Sequence, residues 1–86
     1  MWGMKNIFIQ QINQSKSVKA FITTSEYEIS EIIIAKAVQS NYKKDIIQLF
    51  TSSGIIISIN ETQIPKQENY KQWISYKIGN MQLLIA

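Results

Sequence analysis

Eighty-six residues, 45% hydrophobic and 17% charged, allow one domain with one core. The nine basic residues are all Lys, set against six acids, no His and no Cys, for a net charge of +3. Disulfides, Cys/His zinc sites and nucleophiles activated by His are thereby excluded, so stability has to come from an apolar core or from association with another chain.

Eighteen of the residues are Ile, whose stiff, β-branched side chain suits a pleated surface. In chain order, the first expected unit is a hairpin of Lys5–Ile12 (KNIFIQQI) and Ser17–Thr24 (SVKAFITT), joined by residues 13–16. Ile7 and Ile9 then oppose Phe8 and Ile12 across the pleat, while Val18, Ala20 and Ile22 share a face. The next segment, residues 25–40 (SEYEISEIIIAKAVQS), carries conflicting signals. Ser25 and Glu28 match a capping box, Glu26, Glu28 and Glu31 sit where a helix dipole favours anions, and Lys36 lies towards the other end. Yet Ile29, Ile32, Ile33, Ile34, Ala35, Ala37 and Val38 surround a helix axis instead of forming a stripe. A strand would place Tyr27, Ile29, Ile33, Ala35 and Ala37 on one face, interrupted by Glu31. The caps tip the balance narrowly to a helix near 25–39.

A second hairpin is expected from Asp45–Thr51 (DIIQLFT) and Ile55–Asn60 (IIISIN), joined by Ser52-Ser53-Gly54. Tyr42, Ile46, Leu49 and Phe50 also fall at helical spacing behind Asn41, and the short, Ile-rich arm favours the strand. Pro65–Gln72 is read as a short helical turn with Pro at its first position. Trp73–Ile78 (WISYKI) and Met81–Ile85 (MQLLI), separated by Gly79-Asn80, give the clearest hairpin, because a two-residue loop needs positive φ and Gly supplies it. The expectation is a small single α+β domain spanning 1–86 and dominated by antiparallel β-hairpins, about six strands, with one helix near 25–39. If 25–39 is a strand, an all-β SH3-like barrel replaces it.

Sites for chemistry are scarce. Three isolated Gly residues make no phosphate cradle. Ser40-Asn41-Tyr42-Lys43 matches S-x-x-K, but a solvated turn explains it better than a Ser–Lys pair. Glu26, Glu28 and Glu31 read as a solvated helix start or a charged edge in preference to an acid–base pair or a cation site. No cofactor, metal or small-molecule substrate is inferred, and an enzyme is not expected. There is no 18-residue apolar run, and the early Ile7–Ile9 stretch is too short for a secretory signal, so a cytoplasmic location is the default. The sequons at Asn13 and Asn60 would matter only in a secreted protein.

Association is the reading the composition supports most directly. Trp2 and the tail Leu83-Leu84-Ile85-Ala86 exceed what a small core can hide, and Leu84 should face away from Leu83 and Ile85. Tyr70, Trp73, Tyr76 and Leu84 are the expected anchors, since aromatics dominate interface energetics, and the final strand could present a sheet edge. The expected function is a non-enzymatic protein-interaction module, either a homo-oligomer or a partner-binding inhibitor or assembly factor, acting by steric occupation of a surface. The alternative, prompted by a pI of about 9.3, is a Lys-based nucleic-acid binder using Tyr42, Lys43, Lys44, Lys66 and Lys71. Against it stand the absence of Arg and the dispersal of the Lys residues.

Overall fold

Residues 4–86 are described in the computed structural model, which leaves Trp2 outside the described residues. Helix α1 (Met4–Gln14) precedes seven strands: β1 (Val18–Thr23), β2 (Ile29–Gln39), β3 (Ile46–Thr51), β4 (Ile56–Asn60), β5 (Glu68–Tyr70), β6 (Trp73–Ile78) and β7 (Met81–Ile85). A single 3-10 turn, Glu61–Gln63, follows β4. All strand pairs are antiparallel, in the order β4-β3-β2-β1-β7-β6-β5.

Two expected hairpins are present, β3–β4 and β6–β7. The tight turn between β6 and β7 has Gly79 at φ +59, and Asn80 is not among the residues with positive φ. That is the arrangement of a type II′ turn, with Gly at its first central position.

Four expectations are corrected. The segment 4–14 is a helix, because Phe8 and Ile12, one turn apart, are fully buried while Asn6, Ile7 and Gln10 face out. The segment 25–39 holds no helix. Ser25–Glu28 instead belong to a turn, in which the Thr24 and Glu28 backbones pair and the Glu28 N–H also reaches Thr24 Oγ1. From Ile29 the chain becomes the longest strand. Residues 65–72 hold strand β5 and its turn, with the short helical turn lying just upstream. The sheet thus has seven strands, and β7 lies between β1 and β6 instead of at an edge.

Strand β2 is long enough to serve two partners in succession. Its first half pairs with β1 and its second with β3, with a bulge between Ile34 and Lys36. The extra residue, Ala35, changes the phase, so the buried positions are Ile34 and Ala37 rather than residues two apart.

The loop from β4 to β5 shows that the sheet must curve. Residues 61–67 join the two edge strands, which a flat seven-stranded sheet would hold about 29 Å apart. With one 3-10 turn, that linker reaches only about 23 Å. The sheet therefore coils, and α1 packs on its concave side. Phe8 and Ile12 meet Val18, Ala20, Ile34, Ala37, Ile47, Leu49, Ile59, Tyr76, Ile78, Met81, Leu83 and Ile85 in one buried cluster.

Candidate interaction surface

Residues directly opposite in neighbouring strands share a face, so the register divides the sheet cleanly. Ile74, Ile85, Val18 and Ile34 fall on the inner face, as do Tyr76, Leu83, Ala20 and Ile32. The outer face carries the alternate positions. One row runs Ser75, Leu84, Lys19, Ile33 and the next Lys77, Gln82, Phe21, Glu31. Tyr70 lies opposite Trp73 at one side, and Lys36, Phe50 and Ile56 form a row at the other.

The helix lies on the inner face, and the outer one keeps large apolar side chains in contact with water. Ile29 is 69% exposed, Tyr70 58%, Ile56 48% and Ile33 44%. Phe21, Phe50, Trp73 and Leu84 are half-buried. Trp73 is the diagonal neighbour of Leu84, within reach of an aromatic ring. Three cations lie among them. Lys19 meets Glu31 at 3.4 Å, and Lys36 Nζ sits 5.1 Å from the Phe50 ring centroid. Lys77 is exposed.

Of the four anchors expected from sequence, Tyr70, Trp73 and Leu84 fall on this outer face. Tyr76 does not. It is 2% exposed, packs edge-on against Phe8 with ring centroids 5.0 Å apart, and donates its hydroxyl to the Gln11 side chain. Burial pushes its phenol above the ordinary value of 10.0, with the Gln11 hydrogen bond opposing the shift. Tyr76 belongs to the core. Period-two counting put it with Ile74 and Ile78 correctly, but could not say which of the two faces was covered. Phe21, Ile29 and Ile33 were missed as surface residues. The cue was available for Phe21, which alternates with Ala20 and Ile22, but was hidden for Ile29 and Ile33 by the helix assignment.

The residues proposed for nucleic acid divide into two groups. Tyr42, Lys43 and Lys44 sit exposed in the β2–β3 loop, where Lys5 Nζ donates to the Lys44 carbonyl at 2.7 Å. Lys66 and Lys71 flank β5, four strand positions from β2 and five from β3 in the sheet order. Lys71 Nζ sits 5.6 Å from the Tyr70 ring centroid.

The S-x-x-K serine has a structural role. Ser40 is 9% exposed, and its Oγ accepts the backbone N–H groups of Tyr42 and Lys43. Glu26 and Glu28 are exposed in the β1–β2 turn. Among the described residues no three Asp or Glu side chains gather as a cation site would require. A shallow depression of about 220 Å³ on the outer face touches Phe21, Thr23, Ile29, Lys77, Asn80 and Gln82. It is smaller than the roughly 300–1,000 Å³ of ordinary ligand pockets. No helix among the described residues is long and apolar enough to cross a membrane.

No family model, curated protein or solved structure matches the chain.

Proposed function

We propose that the protein is a non-enzymatic interaction module whose outer sheet face docks against another protein, acting by steric occupation of the surface it covers. One observation carries this reading: α1 covers one face of the sheet, and the opposite face exposes Ile29, Ile33 and Tyr70 beside half-buried Phe21, Trp73 and Leu84. Fully burying one such side chain is worth about 1.5–3 kcal/mol, so a cluster of them provides the apolar centre that specific interfaces have. Trp73 and Tyr70 are the anchors and Leu84 is the apolar floor between them and Lys19. The partner is a protein, whether a second copy or a foreign chain.

A second reading rests on Lys19, Lys36 and Lys77 sharing that face with Phe21, Phe50 and Trp73, since an aromatic, basic sheet can stack bases and neutralise phosphates. It ranks below the first because Lys36 and Lys71 already lie over Phe50 and Tyr70, and the chain has no Arg.

The test is light-scattering mass in solution, with the 260/280 nm absorbance ratio of the same peak, followed by affinity capture with wild type and Leu84→Lys. Recovery of a discrete protein partner or self-association that Leu84→Lys abolishes, with the fold intact, is the expected result. If Leu84→Lys leaves every complex unchanged, the outer face is not the docking surface. Co-purifying nucleic acid that is lost between 50 and 200 mM salt would establish the second reading instead.

A further inference from the structure

The two edges of the sheet are built differently. Strand β5 has three residues, Glu68–Tyr70, with Pro65 and Lys66 before it and Lys71 after it. Short length, charge and proline are the ordinary means of keeping an edge from pairing. Strand β4 has none of them. Its stretch Ile55–Asn60, IIISIN, contains four Ile, no charge and no Pro, and Ile55 and Ile56 are 59% and 48% exposed. Such a segment is a ready template for another strand.

The hydrogen bonds show which backbone groups are on offer. The Thr51 N–H donates to the Ile55 carbonyl at 3.0 Å, and the Glu61 N–H donates to the Asp45 carbonyl at 2.7 Å. Antiparallel alternation then turns Ile55, Ile57 and Ile59 towards β3, and Ile56, Ser58 and Asn60 outward. The Asn60 N–H is taken by Gln63 Oε1 at 2.8 Å, which confirms the outward direction and stops the edge there. Ile56 and Ser58 retain outward N–H and C=O groups.

We propose that β4 pairs antiparallel with β4 of a second copy about a twofold axis at Ile57, joining two seven-stranded sheets into one. This pairing does not rest on the outer-face reading, because it uses the sheet edge. The occupant is a second copy because β4 is complementary to itself. Ile56 meets Ser58 of the second copy in two equivalent hydrogen-bonded rungs. On the inner face Ile57 meets its own symmetry mate, flanked by Ile55 against Ile59, so the inner-face Ile row runs on across the axis. No charged residue lies within the paired strands, so self-pairing brings no like charges into opposition.

Ser58→Pro and Ser58→Lys test this at one position. The Ser58 N–H points away from β3, so proline there removes no bond within the chain, and its ring blocks an incoming strand. Lysine leaves the backbone untouched and places a charge in the interface, which keeps the proposal testable if the proline variant fails to fold. Wild type should show a mass twice the 9.9 kDa of one chain at about 100 µM, and both variants one chain mass with unchanged far-UV circular dichroism. Hydrogen exchange at the Ile56 amide should speed up at least about tenfold in Ser58→Lys, because a free edge amide is exposed to solvent. A wild-type monomer with a fast-exchanging Ile56 amide would overturn the pairing and leave the outer-face reading standing. A dimer that survives both Ser58 variants but dissociates on Leu84→Lys would overturn it in favour of the outer face. Capture of a foreign strand by β4, with no dimer, would likewise exclude the second copy as occupant.

Discussion

The side-chain amide of Asn13 pairs with both backbone polar groups of Ala37. Asn13 Nδ2 donates to the Ala37 carbonyl at 2.9 Å, and the Ala37 N–H donates to Asn13 Oδ1 at 2.8 Å. The pair stands where a neighbouring strand would be. Beyond the bulge β2 continues past the start of β1, and its backbone on that side has no strand partner. The last turn of α1 supplies one residue's worth of ladder there, fixing the helix on β2 above the fully buried Ala37.

Asn13→Ala should therefore destabilise the fold by about 1–3 kcal/mol, since it strands both a donor and an acceptor of a buried residue. Asn13→Asp keeps the acceptor but turns a carboxylate oxygen towards the Ala37 carbonyl, so it should cost at least as much as Asn13→Ala. Urea unfolding of the three proteins checks the order. Equal midpoints for Asn13→Ala and wild type would mean that water replaces the amide without penalty.

Tyr76 links α1 to β6 through Phe8 and Gln11 and makes stability depend on alkaline pH. Burial raises its phenol above 10.0, so the unfolded chain releases that proton first as pH rises. The contribution is fully present below the unfolded value near 10 and is lost as pH climbs through the higher folded value. Tyr76→Phe should lose about 0.5–1.5 kcal/mol at neutral pH through the missing hydrogen bond. Above pH 10 its deficit relative to wild type should shrink. Parallel stability curves for the two proteins across pH 8–11 would show that Tyr76 carries none of the alkaline dependence.

The hairpins were legible because their turns carry local chemistry: Gly79 and Gly54 both take positive φ, at +59 and +92. The helix and the longest strand were exchanged for equally physical reasons. Segment 4–14 has no acid in its first turn and no base in its last, so nothing announced a helix dipole, and its Ile and Phe content suggested a strand. The informative feature was the i, i+4 pair Phe8 and Ile12. Segment 25–39 carried cap residues that the chain spends on a turn around Thr24 and Glu28, and the bulge at Ala35 broke the period-two pattern. The outer face could be placed for Tyr70, Trp73 and Leu84 from alternation alone. Which face the helix covers, and that β4 and β5 form the edges, depend on the order of strands, which no local spacing encodes.

Gly79 gives a prediction in which space and conformation separate. A Cβ built there meets nothing within 4 Å, so any cost of Gly79→Ala is conformational. At φ +59 that cost should be about 1–2 kcal/mol, and Gly79→Asn should recover part of it because Asn ranks after Gly at the positive-φ positions of primed turns. Thermal unfolding ranks the three. An Ala variant as stable as wild type would show that the hairpin absorbs the change by altering its turn type.

Among the described residues, two occupy the left-handed region without being Gly or Asn: Tyr27 at φ +61 and Lys71 at φ +57. Both sit in turns, between β1 and β2 and between β5 and β6. Tyr27 is 88% exposed and belongs to no aromatic pair among the described residues, so Tyr27→Asn relieves backbone strain and sacrifices little. A gain of about 0.5–1 kcal/mol is expected, or a few degrees in Tm for a domain of this size. Lys71→Asn relieves the same kind of strain but gives up the ammonium lying 5.6 Å from the Tyr70 ring centroid. An exposed contact of that sort is worth about 0.5–1 kcal/mol, so the two effects should nearly cancel. Tyr27→Asn should therefore raise Tm while Lys71→Asn leaves it almost unchanged. A fall in Tm for Tyr27→Asn would mean that the exposed ring stabilises its turn by more than the strain it imposes.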